Sequence, residues 1–330
     1  MIFLIFFWLF ISFLHSKYCT DINTDYCSKN AFRFLKYFFS LLILFHHICQ
    51  KVRMTGILSF LNTVGPFGVS VFFFISGFGL QENSSKKKYI ETFWKKRFKK
   101  IVIPYFIFNV LYLIYYICFE NLDIKKIINK ILSGKLIVTY SWYIVAILYF
   151  YMLFYFSFKF FENKKIKKYT SLLIGWILYC IIVYVLGYGV WWFNTSHLFV
   201  LGVVWSEFKE KINNYIFNHY YHVLLGLLMI YGLLVYMRFI LNLSILIVIF
   251  KVTLFVIFVL LVLMKFKFGN RYIDLISNIS FEIYLMQGLV ISLLVGTKIY
   301  NNVVLFSILV IFITVLLSYL LNRFFVRLLK

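Results

Sequence analysis

Two histidines, His46 and His47, close the apolar run SLLILFHH, and two cations, Arg33 and Lys36, precede it. An imidazole titrates near neutrality, so it can take a proton from an alcohol or pass one along a relay. Ionisable groups within apolar helices are costly and normally face a protein interior, where they mark a site or a path. At about 100° per residue, Lys36 and His47 return to within roughly 20° of one helix face, with Arg33 about 40° off that line and Ser40 near it. His46 points away from this stripe. The rise from Lys36 to His47 is about 16 Å, so if Lys36 marks one membrane boundary, His47 lies at or beyond mid-membrane. A plainer alternative is a histidine pair capping the span at an interface, close to Lys51. Base, relay and cap all fit this helix taken alone.

Other residues could join such a site. Glu282 has apolar neighbours on both sides and suits either a cation such as Lys36 or Arg33, or a second polar position in the site. Ser76, Gly77 and Gly79 in ISGFGL permit close helix approach or leave room for a narrow substrate arm. Trp142 and Tyr143 fit a substrate path or an interfacial aromatic belt. Lys251, inside another apolar run, marks a cavity or snorkels. No metal is expected: His219 and His222 are too few for zinc, and Cys19, Cys27, Cys49, Cys118 and Cys180 lack ligand spacing. Cys19 and Cys27 would pair only in an oxidising compartment and otherwise read as free thiols.

The elements that must position these groups follow from composition. Of 330 residues, 63% are hydrophobic and only 14% charged, with charges clustered between apolar stretches long enough to cross a bilayer. The expected fold is all-α: a polytopic transmembrane helix bundle of about ten core spans plus one N-terminal hydrophobic helix. The spans are read at 34–50, 66–82, 101–119, 136–158, 169–187, 190–206, 220–238, 243–264, 279–296 and 302–322. Residues 1–33 form the N-terminal segment and loop, and 34–330 the transmembrane domain. No soluble domain of useful size is expected.

A net charge of +23 raises the question of nucleic acid. The basic residues sit at span ends, where orientation bias and anionic lipid account for them, so the partners expected are membrane lipids and not nucleic acid. The loop after the second span holds Lys86, Lys87, Lys88, Lys95, Lys96, Arg97, Lys99 and Lys100. That matches all the opposite loops together, which hold Lys51, Arg53, Lys125, Lys126, Lys130, Lys135, Arg238 and Lys298. The basic side, and the C-terminus with it, is therefore expected to be cytoplasmic. The leading MIFLIFFWLFISFLHS has no cation ahead of it and Lys17 after it, the reverse of a secretory signal. It reads as an uncleaved helix with Met1 outside, or as an interfacial segment.

Five further motifs carry a resemblance. GPFGVSVFFFISGFGL (65–80) follows the histidine helix, then FWKKRFKKIVIPYF (93–106), and later come SWYIVAILYFYMLF (141–154), HLFVLGVVW (197–205) and ISFEIYLMQG (279–288). In order and spacing this resembles the acyltransferase 3 family of integral-membrane O-acyltransferases, from residue 33 almost to the end. The resemblance implies an O-acetyltransferase of the cell membrane. It would move an acetyl group from acetyl-CoA, entering from the cytoplasm, to a hydroxyl of a surface polysaccharide, such as a capsule, or of its lipid-linked precursor. The family's first-helix histidine falls on His47, with His46 one residue away. Arg97 and Lys100 match its basic pair, with Lys99 beside them, and with Lys36 and Arg33 they would meet the phosphates of coenzyme A. Ser76, Trp142 and Glu282 would line the substrate pocket. The sequence departs from the pattern at Lys36, where arginine is commoner, at Ser70, where an acid is common, and at Gln287, where many relatives have histidine. The rival readings are a polysaccharide or lipid exporter or proton-coupled transporter using His47 and Glu282 as a relay, and an inactive scaffold.

Overall fold

A computed structural model describes residues 2–52, 56–162, 164–241 and 244–329. Arg53 and Leu243, which the orientation and span readings used, lie outside the described residues, as does the side chain of Arg238. The described chain is a helical bundle. Its helices are α1 (Ile2–Phe13), α2 (Lys29–Lys51), α3 (Gly65–Ser84), α4 (Phe93–Arg97), α5 (Ile103–Cys118), α6 (Ile124–Leu132) and α7 (Trp142–Phe160). They continue as α8 (Lys165–Val185), α9 (His197–Glu207), α10 (Lys209–Leu241), α11 (Ser244–Lys265), α12 (Arg271–Asn278), α13 (Ser280–Val295) and α14 (Val303–Leu328). Two short strands, β1 (Lys17–Tyr18) and β2 (Phe266–Lys267), pair antiparallel.

Among the described residues, seven helical stretches are long and apolar enough to cross a membrane: α2, α4 with α5, α7, α8, α10, α11 and α14. The pair α12–α13, bent by 68°, is either a broken eighth span or a re-entrant loop. Two of the ten spans read from sequence fall short, for a shared reason. The stretch 66–82 is α3, whose Gly, Ser, Gln and Asn residues lower its apolar content. The stretch 190–206 breaks into a 3₁₀ turn and the 11-residue α9. These two helices pack on each other, not on lipid. A Cβ on Gly77 would lie 2.0 Å from the Phe199 carbonyl oxygen, and one on Gly202 would lie 2.2 Å from that of Phe74. Small residues let two backbones touch where hydrocarbon gives helices no reason to associate.

Side chains cap the starts of α2, α12 and α14. Ser28 Oγ accepts from the Ala31 N–H at the start of α2, and Asn302 does the same for Leu305 at the start of α14. Pro66 opens α3, where an N–H is unpaired in any case, whereas Pro104 lies just past the π turn that joins α4 to α5. The helix α2 lies at the centre, with 78% of its apolar window buried, against 11% for α10 at the periphery. Around it, Phe73, Phe150 and Phe199 are fully buried and packed ring to ring. The 12-residue α1 spans about 18 Å, less than a bilayer crossing. Asn270 Nδ2 donates to the Ile11 and Leu14 carbonyls at its end, and the β1–β2 ladder ties the following loop to α11.

Candidate active site

Beside α2 lie two cavities that share a wall. The first, of about 370 Å³, is bordered by Lys36 of α2, Ser76 and Gly79 of α3, Arg97 and Tyr143. The second, of about 570 Å³, is bordered by His46, His47, Gln50, Tyr140, Trp142, Asn194, Thr195 and Lys251. Ile43, Val69 and Tyr284 border both. The ladder Lys36, Ile43, His47 on one face of α2 therefore runs from one cavity into the other, as helical spacing expects. His46 enters the same chamber from the side, because α3 approaches it at Gly65, where a Cβ would stand 2.5 Å from His46 Nε2.

The hydrogen bonds assign the protons on both rings when both are neutral. His46 Nδ1 lies 2.9 Å from the Leu61 carbonyl oxygen, which can only accept, so this nitrogen carries hydrogen. His46 Nε2 must then accept, and the Gln50 amide nitrogen donates to it at 3.1 Å. That turns Gln50 Oε1 to His47 Nδ1, 3.0 Å away, which must donate. The remaining lone pair is on His47 Nε2. His46 is fully engaged, whereas His47 keeps one basic nitrogen for a substrate. Tyr140 stacks on the His47 ring at 3.7 Å, with planes 17° apart. Its backbone is left-handed (φ 67°), a costly conformation for a bulky residue, and the Tyr284 hydroxyl donates to its carbonyl.

The basic cavity is built differently. Arg97 reaches it from a helix that runs from α4 into α5 through one π turn, Phe98–Val102. Its guanidinium lies 4.9 Å from the Tyr151 ring and 5.2 Å from the Phe93 ring, and one Nη donates to the Tyr89 hydroxyl at 3.0 Å. Burial raises the titration point of Tyr89, so its hydroxyl stays neutral and leaves the Arg97 charge uncompensated. Arg97 Nε is buried without a partner. Lys36 stands in the field of Lys100, Arg33 and Arg97. Such a pocket attracts an anion.

The other sequence-derived positions separate. Lys99 does not border the cavity: its ammonium donates to the Leu329 carbonyl at 3.0 Å, capping α14. Arg33 pairs with Asp274 at 3.2 Å on the surface. Glu282 takes neither Lys36 nor Arg33. Its Oε1 accepts from Asn322 of α14 at 2.9 Å, and its Oε2 is buried without a partner. Of the small residues on α3, Gly77 serves packing, while Ser76 and Gly79 border the basic cavity, with Ser76 Oγ 3.4 Å from the Tyr143 hydroxyl. Lys251 borders the histidine chamber. Among the described residues no group of three or more His, Cys, Asp or Glu is placed to hold a metal.

Sequence reasoning missed four participants. Gln50 was signalled only by its helical spacing from His46. Tyr140 lies in a loop remote in sequence. Asn194 Oδ1 and Thr195 Oγ1, both buried without partners, border the histidine chamber. That chamber also adjoins a vestibule of about 650 Å³, bordered by Lys135, Tyr188 and Trp192 and sharing Tyr140, Trp142 and Trp191 with it.

A multi-pass helical membrane protein with a basic cavity meeting a histidine chamber is thus the class that the fold and the site define. Residues 29–323 match the acyltransferase domain of the acyltransferase 3 family, so the chain belongs to that family and is a membrane acyltransferase. No match was found among curated proteins or among solved structures.

Proposed function

We propose that this acyltransferase moves an acetyl group from acetyl-CoA to a hydroxyl of a cell-surface polysaccharide or its lipid-linked precursor. The observation that carries the reading is the free lone pair on His47 Nε2, in a chamber that adjoins a cationic cavity at Ile43, Val69 and Tyr284. The donor's phosphates meet Arg97, Lys36 and Lys100, and its thioester arm passes Ser76 and Gly79 toward that shared wall. The acceptor approaches from the aromatic vestibule, where Trp142, Trp191 and Trp192 offer ring faces, and Asn194 and Thr195 offer unpaired polar atoms to hydroxyls. The basic side, with the C-terminus, faces the cytoplasm, and the protein resides in the cell membrane.

Chemically, His47 Nε2 takes the hydroxyl proton as the alcohol oxygen bonds to the thioester carbonyl carbon. The tetrahedral intermediate collapses, the carbon–sulfur bond breaks, and the departing thiolate recovers the proton from His47. Gln50 holds the ring in the tautomer that leaves Nε2 basic, and Tyr140 fixes its plane. The test is the O-acetyl content of whole-cell polysaccharide in wild type and His47→Ala at matched protein levels. Loss of acetylation supports the reading. Unchanged content removes His47 as the base, and loss in His46→Ala alone moves that role by one residue.

A further inference from the structure

A third cavity lies away from the site, on the flank of the bundle where α1, α2, α12 and α14 meet. Its volume is about 550 Å³ and its lining is almost entirely apolar, with Trp8, Phe45, Ile311 and Phe312 among its walls. It opens sideways: Phe312 is 62% and Leu275 45% exposed. From Ile308 to Tyr319, α14 rises about 17 Å along it, close to half of a hydrocarbon layer of about 30 Å. The groove is one leaflet deep.

Charge stands behind two of the groove's bordering tyrosines. Tyr272 and Tyr319 both border the groove, and each hydroxyl holds a guanidinium. Arg271 Nη2 lies 3.1 Å from the Tyr272 hydroxyl, and Arg323 Nε and Nη2 lie 3.0 and 2.6 Å from that of Tyr319. Asp274, the acid on the same short helix, is already engaged by Arg33. Four residues before Arg271, the β1–β2 ladder sets Lys17 directly opposite Lys267, both exposed. Like charges so placed repel and are relieved by a nearby anion.

An apolar slot one leaflet deep, with two of its bordering tyrosines each hydrogen-bonded to an arginine, matches one class of molecule. We propose that this groove is a specific site for one anionic phospholipid, its acyl chains between α1 and α14 and its phosphate on Arg271 and Arg323. The bent α12 carries Arg271, and α1 supplies the wall that shuts the chains away from bulk lipid. The bidentate geometry of guanidinium favours phosphate over a diffuse cationic contact.

The full-length protein, purified in neutral detergent, is offered phosphatidylglycerol or phosphatidylcholine, and retained lipid is read by native mass spectrometry. The wild type is expected to keep one phosphatidylglycerol through collisional activation that strips phosphatidylcholine. Arg271→Ala with Arg323→Ala should lower that retention about tenfold. Leu316→Trp, which fills the groove and leaves both arginines, should lower it as well. Equal retention of the two lipids by the wild type, or unaltered phosphatidylglycerol in either variant, overturns the proposal. Displacement of the lipid by millimolar inorganic phosphate would show that the anion alone is recognised and would also overturn it. Acetylation plays no part in this readout, so the result stands apart from the fate of His47.

Discussion

The two cavities beside α2 share three residues and little else. One is a cationic slot in which Lys36 and Arg97 face aliphatic and tyrosine walls. The other carries neutral amides, a hydroxyl, stacked rings and two histidines, with Lys251 at its edge. The first recognises by charge, which acts at range and weakens with salt. The second recognises by hydrogen bonds and ring faces, which act at contact and are insensitive to salt. Under the proposed reading, keeping these modes apart lets an anionic donor and a neutral polyhydroxyl acceptor bind without either occupying the other's seat. His47 stands on the uncharged-polar side of the shared wall.

The largest expected effect comes from removing the group with the free lone pair. His47→Ala should lower acyl transfer by about 10²- to 10⁴-fold, the usual contribution of a positioned general base, while coenzyme A binding stays unchanged in titration calorimetry. A parallel loss of donor binding would erase the division between the cavities.

Next comes the network that sets the tautomer. Gln50→Leu leaves His47 Nδ1–H and His46 Nε2 without partners and should cost about 5- to 150-fold in kcat, with little change in the donor KM. Gln50→Glu should recover part of this, because a carboxylate still accepts from His47 Nδ1–H. Gly65→Ala should resemble Gln50→Leu, since its Cβ would displace the His46 ring. If leucine and glutamate at position 50 behave alike, Gln50 is only packing material.

These tests rest on features of unequal visibility in the sequence. The bundle and the central α2 were legible because apolar runs of membrane length separated by basic clusters admit few other structures. The span count was less so. Both α3 and α9 are enclosed by protein, and an enclosed helix tolerates Gly, Ser and Asn that a lipid-facing one does not. The Lys36–His47 face was readable from helical period, yet Gln50 lay in view at four residues from His46 and was not used. Tyr140 was out of reach, because a left-handed loop residue stacking on a distant helix leaves no local signal. The basic run at 95–100 could not be sorted by spacing. Its π turn changes the register, sending Arg97 to the cavity and Lys99 to the end of α14. Glu282 looked like a partner for a cation, and the packing of α13 against α14 gave it Asn322 instead.

Sorting that run supplies a sharper test of the charged side. Arg97→Ala should raise the donor KM about tenfold at low salt, the worth of a charge-assisted hydrogen bond, and flatten its dependence on ionic strength. Lys99→Ala should leave both unchanged, because its ammonium caps α14 and does not border the cavity. Equal effects from the two would mean that the cluster acts as a diffuse field and that the cavity wall does not select among its members.

The smallest effect belongs to the aromatic side. Trp191 borders both the histidine chamber and the vestibule and is 55% exposed, so its removal opens no core. A ring face of this kind contributes about 0.5–1.5 kcal/mol, so Trp191→Ala should raise the acceptor KM about threefold and leave the donor KM alone. Salt should not alter that ratio, because no charge is removed. Measured beside Arg97→Ala on one preparation, the pair forms a cross: one substitution moves only the donor and responds to salt, the other moves only the acceptor and does not. A salt-dependent Trp191 effect would place anionic ligand in the vestibule and give Lys135 and Lys251 the part here assigned to the rings.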